Sequence, residues 1–182
     1  ASKKVKPFDH TSRALLDREI IEKTAAFVKR EAKAGKPFYV YAALTQIHPP
    51  FLPHPDFDGK SKAGAYADIQ MEVDYNVGHI LDAINEAGVA NDTIVILPGD
   101  NAAGEDTGDG GSNGPWRGGL STGYEGGTRT PGMTRWPGKI RPSVTDEIFA
   151  DLDWYPTLAH LVGEHQRIPD DRPIDGIKQA DL

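Results

Sequence analysis

The sequence contains no cysteine. That single absence removes disulfides, thiolate metal sites and a cysteine nucleophile together. No apolar run approaches the roughly 18 residues needed to cross a bilayer, so no membrane partner is expected. Lys and Arg form no cluster and the formal charge is −7, which argues against a nucleic-acid partner. There is no Gly-x-Ser-x-Gly elbow, no glycine-rich phosphate loop with its lysine, no His-Glu-x-x-His helix and no internal repeat. What is present is a chain of 182 residues, 38% hydrophobic, with three Trp and six each of Tyr and Phe. That is enough for one globular domain with a sizeable core. Its 20 Gly and 14 Pro concentrate in two long loops, 45–63 and 102–131. Loops of such length inside a compact domain are functional or disordered.

Residues 93–101, Thr-Ile-Val-Ile-Leu-Pro-Gly-Asp-Asn, organise the rest. Ile94, Val95, Ile96 and Leu97 predict a short strand buried on both faces, stopped by Pro98-Gly99. Asp100 and Asn101 then fall just past its carboxyl end, where open α/β sheets bind ligands. A carboxylate beside a carboxamide offers hard oxygen ligands of the kind Ca²⁺ or Mg²⁺ takes. Equally, an Asp-Asn turn satisfies only its own backbone.

Before that strand, helical spacing over 11–34 puts Leu16, Ile20, Phe27 and Val28 on one face, with Thr11 or Ser12 as the cap. Gly35 and Pro37 end this helix, and 38–44 reads as a strand. His48 follows in a loop stiffened by Pro49, Pro50, Pro53 and Pro55. A histidine there would donate to an anion or protonate a leaving group, or simply pack on Phe51. A second helix over 64–87 carries Ile69, Val73, Val77, Ile80 and Ile84 on one stripe, and Gly88 follows it. The alternation of helix and strand predicts an α/β fold with a mostly parallel central sheet flanked by helices. In the glycine-rich loop, Arg117 and Arg129 are the cations nearest in sequence to Asp100. Arg129 reads as a partner of Glu125 or Asp109, and Arg117 is open between such pairing and an anionic substrate. Residues 132–136 form a further strand, 153–162 a short helix, and 167–182 a polar tail.

At this point the motifs meet a family. Pro37-Phe38-Tyr39-Val40-Tyr41 followed by His48-Pro49 resembles the strand and histidine loop of the arylsulfatases. Asp74-Tyr75-Asn76-Val77-Gly78, Thr93 to Asn101, Gly114-Pro115-Trp116-Arg117-Gly118 and Tyr124-Glu125-Gly126 continue the likeness in order. So do Arg129-Thr130-Pro131, Arg135-Trp136-Pro137-Gly138-Lys139-Ile140 and Asp171-Arg172-Pro173-Ile174-Asp175-Gly176.

The resemblance implies an alkaline-phosphatase-like sulfatase sandwich, incomplete at its N-terminal side, with 1–182 as one partial catalytic domain. It implies hydrolysis of a small sulfated ester, with Asp100 and Asn101 as ligands of Ca²⁺ (Mg²⁺ the alternative) and His48 on the sulfate or the leaving oxygen. Arg117 would join His48 on the sulfate. The family's formylglycine arises in a Cys/Ser-x-Pro/Ala-x-Arg motif that this sequence does not contain, nor is the family's early aspartate pair present. Both would belong to an N-terminal portion, and the chain alone is expected to be inactive. Where many sulfatases carry a lysine five residues before the Glu of Glu-Gly-Gly, this chain has Leu120. A phosphate or phosphonate monoester hydrolase of the same superfamily, or a non-catalytic sulfatase-like module, are the rival readings. Unpaired strand edges would lead to self-association or to pairing with the N-terminal portion, and family habit suggests a periplasmic or secreted location.

Overall fold

The computed structural model describes residues 7–104 and 111–181. Its first helix, α1 (His10–Ala14), starts at Asp9 rather than at Thr11 or Ser12. The Asp9 carboxylate accepts the Ser12 N–H at 2.8 Å, and the Ser12 hydroxyl accepts the Asp9 N–H at 2.8 Å. These reciprocal bonds satisfy two donors that a helix start would leave unpaired. The continuous helix expected over 11–34 is broken at Leu15, and α2 (Leu16–Lys33) follows as a separate element.

Helix α2 packs on α3 (Ala65–Glu86). Ile21, Ala25 and Val28, spaced i, i+4, i+7, are buried against a core that also holds Ile69, Ala83 and Ile84. Each large aliphatic side chain so buried stabilises by about 1.5–3 kcal/mol. The apolar faces differ from those expected. Leu16, Ile20 and Phe27 are only half-buried, whereas Asp17 and Thr24 lie inside. On α3, Val73, Val77 and Ile80 are half-buried and the inner positions between Ile69 and Ile84 go to Glu72 and Asn76, both 0% exposed. Gly88, at φ +73°, then closes the helix in a conformation that side chains disfavour.

Strand β1 (Val95–Pro98) pairs antiparallel with β2 (Gly132–Arg135), Val95 opposite Arg135 and Pro98 opposite Gly132. This is the only ladder among the described residues, which hold a small two-stranded sheet rather than the mostly parallel central sheet expected. A parallel ladder needs a neighbouring edge, and none lies beside 38–44 among the described residues. That segment forms no strand and is unpaired among the described residues, with Tyr39 and Tyr41 76% and 81% exposed. No helix among the described residues is long and apolar enough to cross a membrane.

A one-turn helix, α4 (Glu125–Thr128), interrupts the loop 102–131, and α5 (Trp154–Leu161) lies close to where a short helix was expected. The polar tail expected from 167 onward is instead docked. Asp153, 4% exposed, accepts from the N–H groups of Ala150 (3.1 Å) and Ile177 (2.8 Å) and from the Gln179 amide (2.9 Å). Thr157 receives the Gln179 N–H at 2.9 Å. The Gln179 amide, then the two backbone donors, holds the Asp153 carboxyl below its usual value of 3.8. A depressed acid contributes stability above its unfolded value and loses it as pH falls through the folded one. The Ile177 and Gln179 amides of the natural protein are therefore expected to lose their protection, measured against the intrinsic exchange rate at each pH, only in acid. In Asp153→Asn, whose amide points a donor at other donors, they lose it at neutral pH. Unchanged exchange in the variant would show that Asp153 does not fasten this segment.

Candidate active site

The histidine loop is assembled from outside itself. Asp17, 1% exposed, accepts the N–H groups of Thr45 (2.8 Å) and Gln46 (3.0 Å) where segment 38–44 ends. The Arg13 guanidinium donates to the carbonyls of Thr45, His48 and Pro49. Farther along, the Gln46 amide bonds the Leu52 carbonyl at 2.9 Å, and Glu72 accepts the His54 N–H at 2.9 Å. Burial, with the Asp17 charge adding, pushes the Glu72 carboxyl above the usual range against the pull of that N–H and of Arg18. None of Arg13, Asp17 or Glu72 was a candidate from sequence. The available signal was a charged residue on the inner face of a helix.

His48 itself is exposed, its Nδ1 bonded to the Pro49 carbonyl at 2.7 Å. It does not pack into the core, nor does any hydrogen bond join it to Asp100 or Asn101 among the described residues. His54, by contrast, is taken up locally: its Nδ1 accepts the Asp56 N–H at 3.2 Å.

Asp100 and Asn101 emerge beyond β1, both exposed. The turn beneath them is fixed by Gly99, whose N–H donates to the Pro131 carbonyl (2.9 Å) and whose carbonyl accepts the Thr130 hydroxyl (2.7 Å). Among the described residues the Asp100 carboxylate has no hydrogen-bond or ion-pair partner. Asn101 donates its Nδ2 to the Ala102 carbonyl at 3.1 Å. An Asp-Asn turn closed on its own backbone would have engaged the aspartate oxygens. Instead two hard oxygen donors, one charged, are left facing solvent side by side. Their chemistry fits Ca²⁺ or Mg²⁺. They do not complete a site, since no cluster of three His, Cys, Asp or Glu able to hold a metal occurs among the described residues.

The glycine-rich loop folds back against this turn. Asn113 clasps Ala103 in both directions, accepting its N–H and donating to its carbonyl, each at 3.0 Å, and donates to the Gly118 carbonyl at 3.2 Å. Leu120 N–H meets the Ala103 carbonyl at 3.0 Å, and Gly126 N–H meets that of Arg117 at 2.8 Å. Asn113 is a staple that sequence reasoning passed over, because an Asn among glycines reads as ordinary turn chemistry. The Arg117 guanidinium lies 4.0 Å over the Tyr124 ring and has no carboxylate partner among the described residues. Arg129 is bonded to Glu125 at 3.3 Å and stacks on Trp116, the structural pairing expected for it. The other candidate partner, Asp109, lies outside the described residues. Leu120 is 47% exposed and puts an aliphatic surface where the lysine of many sulfatases would stand.

The sulfatase family model matches residues 3–164. The chain is 37% identical over 168 residues to the steryl-sulfatase of Rattus norvegicus, covering 88% of this chain and 28% of that protein. It is 39% identical over 132 residues to arylsulfatase A of Bos taurus, covering 71% and 26%. Among solved structures, the PsFucS1 sulfatase from Pseudoalteromonas sp. superposes with a TM-score of 0.91 at 31% identity, over 97% of this chain and 36% of that one. The chain thus spans less than a third of the length of these two curated relatives.

Proposed function

This chain belongs to the sulfatase family, and from that premise we propose that it supplies two metal ligands and an anion-facing histidine to a calcium-dependent centre that hydrolyses sulfate esters. Its fold is a part of the alkaline-phosphatase-like domain of sulfatases. The observation that carries the proposal is the exposed Asp100 carboxylate, without a hydrogen-bond or ion-pair partner among the described residues, beside the Asn101 carboxamide at the end of β1.

Asp100 and Asn101 would hold Ca²⁺, or Mg²⁺ in its place, and a cation there would supply positive charge to the oxygens of a bound sulfate. His48 hydrogen-bonds the sulfate or passes a proton to the departing alcohol oxygen. Arg117, stacked on Tyr124 and without a carboxylate partner among the described residues, contributes a second cationic contact to the same anion. No formylglycine motif occurs in the sequence, so the nucleophile is not assigned to any of these residues. Two oxygen ligands hold calcium weakly, because the ion takes about six to eight, and residues 1–182 by themselves are expected not to turn over. The open segment 38–44 pairs with further strands of a longer sulfatase polypeptide or with a second copy. The location proposed, on family membership, is periplasmic or secreted.

A non-catalytic module is the second reading, and Leu120 in the lysine position is what favours it. The two separate on one experiment: the full-length protein is given an aryl sulfate and an aryl phosphate with Ca²⁺, then with a chelator. Calcium-dependent turnover of the sulfate over the phosphate is the expected result. Neither turnover nor calcium binding by calorimetry would make the module the correct reading.

A further inference from the structure

Arg13 stands 35 residues before His48 and shares no motif with it, yet its guanidinium grips the backbone around that histidine. One terminal nitrogen donates to the carbonyls of Thr45 (3.2 Å) and His48 (2.7 Å), and the other to the carbonyl of Pro49 (3.1 Å). The Pro49 carbonyl is also the partner of the His48 ring, 2.7 Å from Nδ1. A carbonyl only accepts, so Nδ1 carries a proton and, in the neutral ring, Nε2 is the bare nitrogen. We propose that Arg13 is a positioning residue that fixes the tautomer and direction of the His48 imidazole by pinning the Pro49 carbonyl.

The chemistry needs an arginine. A carbonyl oxygen has two lone pairs, so it receives Arg13 and the imidazole together. The planar guanidinium presents several donors in a rigid fork and reaches three carbonyls at once, whereas an ammonium is a single rotatable point charge. Arg13 is also held in place. The Asp9–Ser12 box sets the helical turn that carries it, and Asp17, four residues on, takes the Thr45 and Gln46 N–H groups from the same side. Carbonyls and N–H groups of one turn are thus gripped by opposite charges. Released from Arg13, the Pro49 peptide would turn toward water and the imidazole would exchange between both tautomers.

This inference rests on the reading of His48 as the residue facing the sulfate, but its test does not require turnover. In the full-length protein labelled with ¹⁵N-histidine, the His48 signals are identified by their loss in His48→Gln. The natural protein is expected to show a protonated Nδ1 and a bare Nε2 in the neutral ring. Arg13→Lys and Arg13→Gln are expected to show both tautomers, with the two nitrogen signals drawn together. In both variants kcat falls about tenfold, the rate equivalent of ~1.4 kcal/mol, while KM changes by less than about twofold. Should Arg13→Gln fail to fold, Arg13→Lys decides. An unchanged Nδ1–H signature in Arg13→Lys, even with a lowered melting temperature, overturns the proposal. Full activity of His48→Gln together with shifted tautomers in the Arg13 variants would leave the clamp standing and remove the catalytic reading of His48.

Discussion

Asp100→Ala is expected to lower kcat/KM for an aryl sulfate by about 10³-fold in the full-length protein, ~4 kcal/mol of transition-state stabilisation. The same variant should bind calcium measurably more weakly by calorimetry. Its thermal stability should not change, because Asp100 is exposed and has no hydrogen-bond or ion-pair partner among the described residues to lose. That combination separates a ligand from a structural carboxylate. A structural aspartate such as Asp153, with three donors on its oxygens, would lose stability on truncation. Asp100→Asn keeps an oxygen and removes the charge, so its activity should fall between the two. Wild-type turnover and calcium affinity in Asp100→Ala would end the assignment of this turn as a metal site.

Gly126→Ala should lower the melting temperature by roughly 6–12 °C, corresponding to a destabilisation of about 3 kcal/mol. Gly126 is buried where the turn of α4 meets the strand of backbone at 117–119. A Cβ there would stand 2.6 Å from the Arg117 carbonyl oxygen and collide with that of Gly118. Both obstacles are backbone, so no side chain can swing aside. Relief requires the 116–120 segment to move off, which breaks the Gly126–Arg117 hydrogen bond and lifts Arg117 from Tyr124. Gly123→Ala is the control, since its added Cβ meets nothing within 4 Å. Equal melting of the two variants would show that this packed loop is not the native one.

The contrast between these two sites explains what the sequence made legible. Asp100 and Asn101 were readable because a short apolar strand halted by Pro98-Gly99 predicts where its next residues fall, and that is a local rule. Helices α2 and α3 were readable from periodicity, but their inner faces were not. Periodicity counts apolar residues, and Asp17, Glu72 and Asn76 take inner places that it does not assign to them. Two of these, Asp17 and Glu72, accept backbone donors of the histidine loop. The cap at Asp9 was missed for a smaller reason: Ser12 takes part in it, but as the returning partner of the box rather than as its first residue. Segment 38–44 shows the opposite failure. Its aromatic and β-branched residues predicted a strand that does not form among the described residues, because pairing depends on a neighbour that composition does not reveal. Arg13 and Asn113 were invisible for the same reason, each acting through contacts to carbonyls that any residue could have offered.

Glu72 and Asp153 are displaced in opposite senses, one raised by burial and one lowered by its donors. A raised carboxyl favours the fold in its protonated state. Its contribution is complete below the ordinary glutamate value of 4.5 and fades as pH climbs through the displaced one. Asp153 keeps its hold until the medium drops beneath 3.8. Between these limits lies a mildly sour interval in which Glu72 has shed its charge while the terminal strap is still tied. For these two groups, faintly acidic media are gentler than alkaline ones.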